Sequence, residues 1–455
     1  MGDVSPPKKQ INLLRGWPHP SLLPTPAITA AANAALSNPS VSTPGLLYGP
    51  DPGYQPLREE IGSWLSRFFG GKADAERICI TGGASQNLAC VLQVFSDPTV
   101  TKVWMVAPCY FLACRIFDDA ALEVRAVGEG KEGVDLEQLE KYLVTEDEKR
   151  DPKPQKIKLP KPWSKTYRHI IYCVPTFSNP SGKTMSLSCR QSLVRLARKH
   201  DALIITDDVY DFLQWPTSSL SSTSSMNKAL LPRLVDVDRT LEPLPAEGSF
   251  GNAMSNGSFS KIAGPGVRTG WAEATPTFTY GLSQCGSSRS GGAPSQLTAT
   301  IMCELLKSGD LEKHIEHTLC PAYKRRYEIM MKAIQQYLVP LGVTVGEVSF
   351  GDKEIFGGYF IWVELPKGVG AEKASLMARE EHGLIVAPGK IFEVANDESV
   401  KFENSIRLCF SWEEEADLEE GVKRLGKVVQ EVVEGKSAPE KKDGGEIKND
   451  LGEFR

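Results

Sequence analysis

The 455-residue chain lacks any apolar run long enough to cross a bilayer. Apolar stretches such as 202–206 and 384–388 fall far short of the roughly 20 residues that a membrane helix needs. The N-terminus, MGDVSPPKK, lacks the apolar core of a secretory signal, and Gly2 misses the myristoylation pattern by one position. We therefore expect no membrane partner and a cytoplasmic location.

The chain also lacks an excess of positive charge and any C-x-x-C pair. Lys plus Arg number 52 against 57 Asp plus Glu, and the net charge of −5 predicts no nucleic-acid partner. The ten cysteines are scattered, which argues against a zinc ribbon or a thioredoxin-type dithiol, so no metal is expected. Cys79 and Cys173 lie in apolar runs typical of buried thiols, and reduced cysteines fit the cytoplasm. A hydrophobic fraction of 41% excludes a disordered chain.

Short apolar strands alternate with helices along the middle of the chain, which predicts an α/β fold with a largely parallel sheet and helices on both faces. The predicted strands are 77–81, 102–108, 123–127, 169–175, 202–208 and the segment before Ser258, and the helices between them are 86–95, 111–119, 135–143 and 188–200. Beyond about 296 an α+β second domain is predicted, with helices 296–307, 310–337 and 413–434 and strands 358–364, 384–387 and 405–411. The insertions 145–166 and 216–225 are predicted to be solvated loops.

Polar residues follow several of these strands, at the sheet edge where open α/β folds bind ligands. The first strand runs into the small-residue turn 82–86, where backbone N–H groups at a helix start suit an anion such as phosphate. The later strands are followed by an aromatic ring, an amide, a carboxylate and a phenol: Tyr110, Asn179, Asp207 and Tyr210.

A further loop carries Lys261 beside Ser258 and Ser260, with Arg268 seven residues later. A lone lysine in a Gly/Ser loop is usually a surface residue. The run 264–270 nearly matches a dinucleotide-binding loop, but Thr269 replaces its last glycine and no helix evidently follows, so that interpretation fails.

These residues together indicate one ligand, a planar ring with a phosphate held beside a reactive lysine. Arg268 can bind two phosphate oxygens at once, and Tyr110 can stack on the ring. Asp207 suits a cationic ring nitrogen, and Lys261 suits a covalent bond to a carbonyl carbon. Pyridoxal 5'-phosphate meets all of these requirements.

Motifs in five places carry a family resemblance: SNPSG at 178–182, DDVY at 207–210, SFSK at 258–261, GPGVR at 264–268 and SIRLCF at 405–410. In this order and spacing the chain resembles the fold-type I pyridoxal-phosphate enzymes of the class I and II aminotransferase family, in its aminoadipate and kynurenine aminotransferase branch. The resemblance covers 12 to about 420. It implies an N-terminal segment that joins the small domain and covers the active site (11–47), a large cofactor-binding domain with a mostly parallel central sheet (48–300) and a small α+β domain (301–433). Residues 1–10 are expected to form a flexible arm, and the tail 434–455, rich in Lys, Glu, Gly and Asp, is expected to be disordered.

The resemblance also implies roles for individual residues. Lys261 would carry the cofactor covalently and move the substrate proton, Asp207 would pair with the ring nitrogen, and Tyr210 and Asn179 would bind the ring's 3-oxygen. Tyr110 would stack on the ring. The phosphate would be held by Gly83, Ala84, Ser85, Ser258 and Arg268 and, from a neighbouring subunit, by Tyr48, which implies a homodimer with shared sites. Arg407 would bind the substrate α-carboxylate, with Gly16 and Asn179 beside it.

Several assignments have alternatives. One of the two acids Asp207 and Asp208 is expected to cap a helix and the other to face the ring. Asp207 is preferred for the ring, and Asp208 is the alternative. Arg407 could be a structural ion-pair partner, and the Ser260 hydroxyl could have no role. In the N-terminal segment, where the family often has a small residue, Arg15 and Trp17 could meet a distal carboxylate or an aromatic side chain, or face solvent.

The resemblance implies an aminotransferase that moves an amino group from an L-amino acid of the 2-aminoadipate, kynurenine or aromatic type to a 2-oxo acid such as 2-oxoglutarate, by a ping-pong mechanism. The first alternative is another reaction of the same cofactor: a lyase, a racemase or carbon–carbon bond formation. A transcriptional regulator with an aminotransferase-like domain is a second, but fewer than 50 residues precede the core and they show no helix-turn-helix pattern.

Overall fold

The structure, a computed structural model, describes residues 9–149, 151, 154–216, 227–289, 291, 294–346 and 355–436. Most of the expected arm and tail, and all of the insertion 216–225 except Pro216, lie outside the described residues.

The strands in the described part of the chain follow the predicted alternation and add several short ones. They are β1 (Ile11–Asn12), β2 (Ile78–Thr81), β3 (Lys102–Ala107), β4 (Glu123–Gly130), β5 (Gly133–Val134), β6 (His169–Cys173), β7 (Leu203–Asp207), β8 (Gln214–Pro216), β9 (Ala253–Ser258), β10 (Gly270–Glu273), β11 (Thr344–Val345), β12 (Ile355–Gly357), β13 (Phe360–Glu364), β14 (Leu384–Ile385), β15 (Ala387–Pro388) and β16 (Ser405–Cys409).

The helices include every predicted one, with shifted ends. They are α1 (Thr25–Ser37), α2 (Pro39–Gly45), α3 (Gln55–Phe69), α4 (Ala84–Phe95), α5 (Phe111–Asp119), α6 (Leu136–Glu148), α7 (Leu187–Lys199), α8 (Leu234–Thr240), α9 (Pro276–Ser283), α10 (Gly286–Arg289), α11 (Gln296–Lys307), α12 (Asp310–His314), α13 (Cys320–Tyr337), α14 (Ala371–His382) and α15 (Glu415–Val433).

The run predicted to be helical over 310–337 is helical throughout, with a π-helical turn at Ile315–Leu319 between α12 and α13. The turn lies just before Pro321, which has no N–H to donate within a helix. One prediction of extent was wrong. The insertion expected to be loop from 145 begins inside α6, which ends at Glu148.

The central sheet has the strand order β2-β10-β9-β7-β6-β3-β4-β5. The neighbours from β9 across β7, β6 and β3 to β4 run parallel, so their carboxyl ends meet at one edge. The pairs at the two ends of the sheet are antiparallel: β2 with β10, β10 with β9, and β4 with β5. The predicted α/β class with a mostly parallel central sheet is confirmed.

A second, antiparallel sheet of order β11-β13-β16-β15 lies toward the C-terminus, with α13, α14 and α15 around it. The N-terminal segment joins it: β1 pairs with β14, and Cys409 N donates to Leu13 O at 2.7 Å. This pairing carries the residues after Leu13 toward the carboxyl edge of the central sheet. In the described part of the chain, no helix is both long and apolar enough to cross a membrane.

Candidate active site

A cavity of about 240 Å³ lies at the carboxyl edge of the central sheet. It is lined by residues from separate strands, loops and the N-terminal segment, among them nearly all of the predicted site residues: Gly16, Ala84, Ser85, Tyr110, Asn179, Asp207, Tyr210, Ser258, Lys261, Arg268 and Arg407. Arg15, Trp17 and Ser260 line it as well. Of the predicted residues, Gly83 and Tyr48 do not line this cavity.

One end of the cavity is built for an anion. Ala84 and Ser85 form the first turn of α4, whose backbone N–H groups point out of the helix start. Gly83 precedes them with φ 99°, and a Cβ there would lie 2.8 Å from Arg268 Nη2, so the position needs glycine both for its backbone and for the approach of the guanidinium. Arg268 is held in place by donating to Pro265 O and Gly82 O, each at 2.9 Å.

The two neighbouring acids after β7 have different surroundings. Tyr172 donates to Asp207 Oδ2 at 3.0 Å, while Oδ1 is buried and accepts no hydrogen bond from the described residues. Asp208 accepts the hydroxyls of Thr206 and Ser255 on Oδ2, and its Oδ1 is likewise buried with no hydrogen bond from the described residues. The difference is that Asp207 lines the cavity and Asp208 does not. The expectation that one acid caps a helix was wrong, because no helix begins at either residue.

Burial raises the pKa of Asp207 to about 6, with Asp208 adding to the rise and Tyr172 and Lys261 opposing it. An unpartnered buried carboxylate oxygen carries a large desolvation cost, which a cationic N–H donor in the cavity would offset.

Lys261 lies in the same cavity, with its ammonium against the N-terminal segment. Lys261 Nζ donates to Gly16 O at 2.8 Å and lies 5.2 Å from the ring centre of Tyr359, whose hydroxyl donates to Lys261 O at 3.1 Å. Burial lowers the pKa of Lys261 to about 8. An amine with this pKa is unprotonated in a small but useful fraction near neutral pH, as a nucleophile or base requires.

Arg407, in the middle of β16, is buried without a carboxylate partner among the described residues. Its Nη1 donates to Asn179 Oδ1 at 2.8 Å, and Nη2 donates to Leu14 O. Its guanidinium lies 4.1 Å from the ring centre of Phe360. Burial lowers the pKa of Arg407 to about 10. The structure does not show the ion pair that was the structural alternative for this residue.

The predicted phenols Tyr110 and Tyr210 also line the cavity. Tyr110 follows β3 and precedes α5, and burial raises its pKa to about 12. Tyr210 is 3% exposed, and burial raises its pKa well above the usual value. Both phenols are therefore protonated donors near neutral pH.

Sequence analysis missed Tyr172, Asn256 and Phe360, which also line the cavity. Asn256 Nδ2 donates to Ala84 O at 3.0 Å, which ties β9 to the start of α4. Tyr172 lies within an apolar strand, so it resembled a core residue, but its place near the carboxyl end of β6 was a usable signal.

Tyr48 lies outside the cavity and is 88% exposed. Leu46 and Leu47 beside it are 66% and 63% exposed, and the ring of Tyr48 contacts Gly291. Three consecutive exposed apolar or aromatic side chains form a surface of the kind that protein interfaces cover.

Arg15 lines the cavity, and its guanidinium lies near two tryptophan rings. Its guanidinium is 5.1 Å from the ring centre of Trp17 and 4.9 Å from that of Trp412, and the two indoles meet edge to face. Such cation–π contacts fix a guanidinium's orientation without removing its charge.

These residues fit pyridoxal phosphate. The buried Asp207 Oδ1 matches a protonated ring nitrogen, the start of α4 with Arg268 matches the phosphate, and Lys261 matches the carbonyl carbon.

Comparison with known proteins agrees with this geometry. The family model "Aminotransferase class I and II" matches residues 9–425. An uncharacterised protein of Saccharomyces cerevisiae is 35% identical over 92% of this chain and 97% of its own length. The 2-aminoadipate transaminase of Thermus thermophilus is 30% identical over 91% of this chain and 89% of its own. The crystal structure of Pyrococcus horikoshii kynurenine aminotransferase in complex with PMP superposes with a TM-score of 0.75 and 27% identity, covering 95% of this chain and 93% of that one.

Proposed function

Since this chain belongs to the class I and II aminotransferase family, we propose that it moves an amino group from an L-amino acid to a 2-oxo acid such as 2-oxoglutarate, in two half-reactions at one site (a ping-pong cycle). The observation that carries the proposal is the meeting, in one cavity, of the Lys261 amine with the buried, unpartnered oxygen of Asp207. The cofactor is pyridoxal 5'-phosphate, which supplies a carbonyl carbon for the amine and, when protonated at the ring nitrogen, an electron sink.

The chain's own residues would hold this cofactor at both ends. Arg268, Ser258 and the N–H groups of Ala84 and Ser85 would bind the phosphate, and Asp207 would accept the ring N–H. The phenol of Tyr210 and the amide of Asn179 would donate to the ring's 3-oxygen, and Tyr110 would cover the ring face.

Lys261 moves the proton. Removing the proton from the substrate α-carbon is the difficult step, and Nζ, with a pKa lowered to about 8, is unprotonated often enough near neutral pH to accept it and return it elsewhere.

Arg407 binds the substrate α-carboxylate. In its contact with Leu14 O the guanidinium meets an uncharged acceptor, and a substrate carboxylate would replace that contact with an ion pair. The burial of the guanidinium strengthens this attraction because little water screens it.

The relatives' names include 2-aminoadipate and kynurenine aminotransferases, and we propose donors of the 2-aminoadipate, kynurenine or aromatic type. To test this, the cofactor-loaded chain is mixed with 2-oxoglutarate and each donor, and glutamate is measured. We expect glutamate with at least one donor. Loss of CO2 or racemisation of the donors without any half-transamination would instead support the lyase or racemase alternative.

Arg15 is proposed to bind a distal carboxylate of the substrate. Replacing Arg15 by glutamine should lower kcat/KM for 2-aminoadipate by roughly 10- to 100-fold, the loss expected for a hydrogen bond to a charged group. Norleucine, which lacks that carboxylate, is the internal control, and its kcat/KM should change little. An equal loss for both donors would contradict this role and indicate a structural one.

We further propose a homodimer with shared active sites, since the exposed run Leu46–Tyr48 fits an interface and Tyr48 lies outside its own chain's cavity. Cytoplasmic location stays a proposal, which is supported by ten free thiols within the described residues. We also propose the division of the chain into a large domain (48–300) and a small domain (301–433).

A further inference from the structure

The turn that presents Asn179 rests on a buried carboxylate, Glu129. Glu129 lies near the end of β4, and its side chain is 9% exposed. Ser181 Oγ donates to Glu129 Oε1 at 2.8 Å, and Lys183 Nζ lies 3.6 Å from Oε2. One carboxylate therefore holds two residues of the turn.

The turn itself is closed by its backbone. Ser178 N donates to Lys183 O at 2.9 Å, and Gly182 N donates to Ser178 O at 2.7 Å. Asn179 lies between these bonds and accepts from Arg407. Glu129 is thus connected to Arg407 by two hydrogen bonds, one to Ser181 and one from Arg407 to Asn179, and by the turn backbone between Asn179 and Ser181.

A small second cavity of about 10 Å³ separates Glu129 from the active-site cavity. Tyr110, Tyr172 and Asn179 line both cavities, so Glu129 lies one layer of side chains behind the active site. A space of this size is near the least that one water molecule needs, so the turn has little room to shift.

We propose that Glu129 is a positioning residue: its ionised carboxylate holds the Ser178–Lys183 turn and thereby aims Asn179 and Arg407 at the substrate, and its protonation releases the turn. The inference rests on the proposed function of Arg407.

Burial raises the pKa of Glu129 to about 7, opposed by the charge of Lys183 and the hydroxyl of Ser181. The other titratable groups lining the small cavity are the phenols of Tyr110 and Tyr172 and the thiols of Cys109 and Cys173. Burial raises the pKa of Tyr110 and Tyr172 above the usual value, and burial does the same for Cys173. The pKa of Cys109 is also raised, chiefly by its contact with Cys114. Below pH 7 the carboxyl gains a proton, loses its charge, and holds Lys183 and Ser181 less strongly.

The first test measures kcat/KM against pH for the cofactor-loaded chain and three variants. Glu129→Gln should raise KM roughly three- to tenfold, the fold-change of one ordinary hydrogen bond. It should also remove the acid limb of the profile, which is the decrease of kcat/KM below about pH 7. Lys183→Met should move that limb to higher pH by about one unit or more, because it removes the neighbouring cation. An unchanged limb in both variants would overturn the proposal.

Glu132→Gln is the matched control. Glu132 also accepts two serine hydroxyls, from Ser186 and Ser188, but it faces the start of α7 and not the turn. This variant should keep the limb and KM of the unmodified chain, and a shift equal to that of Glu129→Gln would contradict a specific role.

The second test does not need turnover. Amide hydrogen exchange, corrected for intrinsic rates, should show the Ser178 and Gly182 N–H groups less protected at pH 6 than at pH 8 in the unmodified chain, with no such difference in Glu129→Gln. This measurement tests whether Glu129 holds the turn even if the chain lacks transaminase activity. If Glu129→Gln does not fold, the shift in Lys183→Met decides, since it keeps the carboxylate.

Discussion

Replacing Lys261 by alanine is expected to abolish transamination. The fall in kcat should be at least about 10⁴-fold, the upper range for one general acid–base group, since the same amine also tethers the cofactor. The absorbance band of the lysine-bound cofactor should disappear with the amine. The fold should remain, because Nζ donates one hydrogen bond to the described residues, to Gly16 O, and the Tyr359 hydroxyl bonds to the Lys261 backbone.

The measurement combines steady-state kinetics, an absorbance spectrum and thermal unfolding. Lys158→Ala is a suitable control, since Lys158 Nζ donates to Leu92 O and Gln93 O, away from the active-site cavity. It should keep both the band and kcat. A small primary amine added to Lys261→Ala should restore part of the proton transfer. Full turnover by Lys261→Ala without added amine would show that another group is the base.

The Lys261→Ala chain also tests the shared site. Tyr48→Ala should weaken cofactor binding if Tyr48 reaches the partner's phosphate. When the two inactive or weakened chains are mixed and exchange subunits, one site in each mixed dimer has an intact Lys261 and an intact Tyr48. Activity above the sum of the separate variants supports the shared site, and simple additivity contradicts it.

Much of the central sheet could be predicted because its strands are apolar and buried on both faces, as parallel strands are. The cavity could be located for the same reason, since polar residues follow β6 and end β7, in contrast with the apolar residues before them. The strand β10 could not be found, because the sequence Gly-Trp-Ala-Glu has little strand propensity and is held by β2 and β9 on either side.

The resemblance placed the N-terminal segment over the active site, but the contacts of that segment needed the structure. Arg15 is near Trp412, and Arg407 donates to Leu14 O, across almost the whole length of the chain. Such contacts follow from the pairing of β1 with β14, which involves only two residues on each strand and leaves no periodic pattern. Glu129 was missed for a related reason: its partners Ser181 and Lys183 are distant in sequence, and an acid near a strand end is normally solvated.

Asp207→Asn is expected to give the second large effect. In the proposed mechanism, the Asp207 carboxylate would keep the cofactor's ring nitrogen protonated and so would stabilise negative charge that develops in the transition state. Asparagine has almost the same shape but no charge, so the cavity should stay intact. We expect kcat to fall roughly 10²- to 10³-fold, as when one preorganised electrostatic partner is lost.

Neighbouring variants separate charge from packing. Asp208→Asn makes the same chemical change one residue away, where the acid holds Thr206 and Ser255, and it should lower the free energy of unfolding by about 1–3 kcal/mol while kcat changes little. Tyr172→Phe removes one hydrogen bond to Asp207 and should lower kcat less than Asp207→Asn does. The acid that faces the cofactor should affect kcat, and the other acid should affect mainly the free energy of unfolding. If Asp208→Asn reduced kcat more than Asp207→Asn, the roles of the two acids would have to be exchanged.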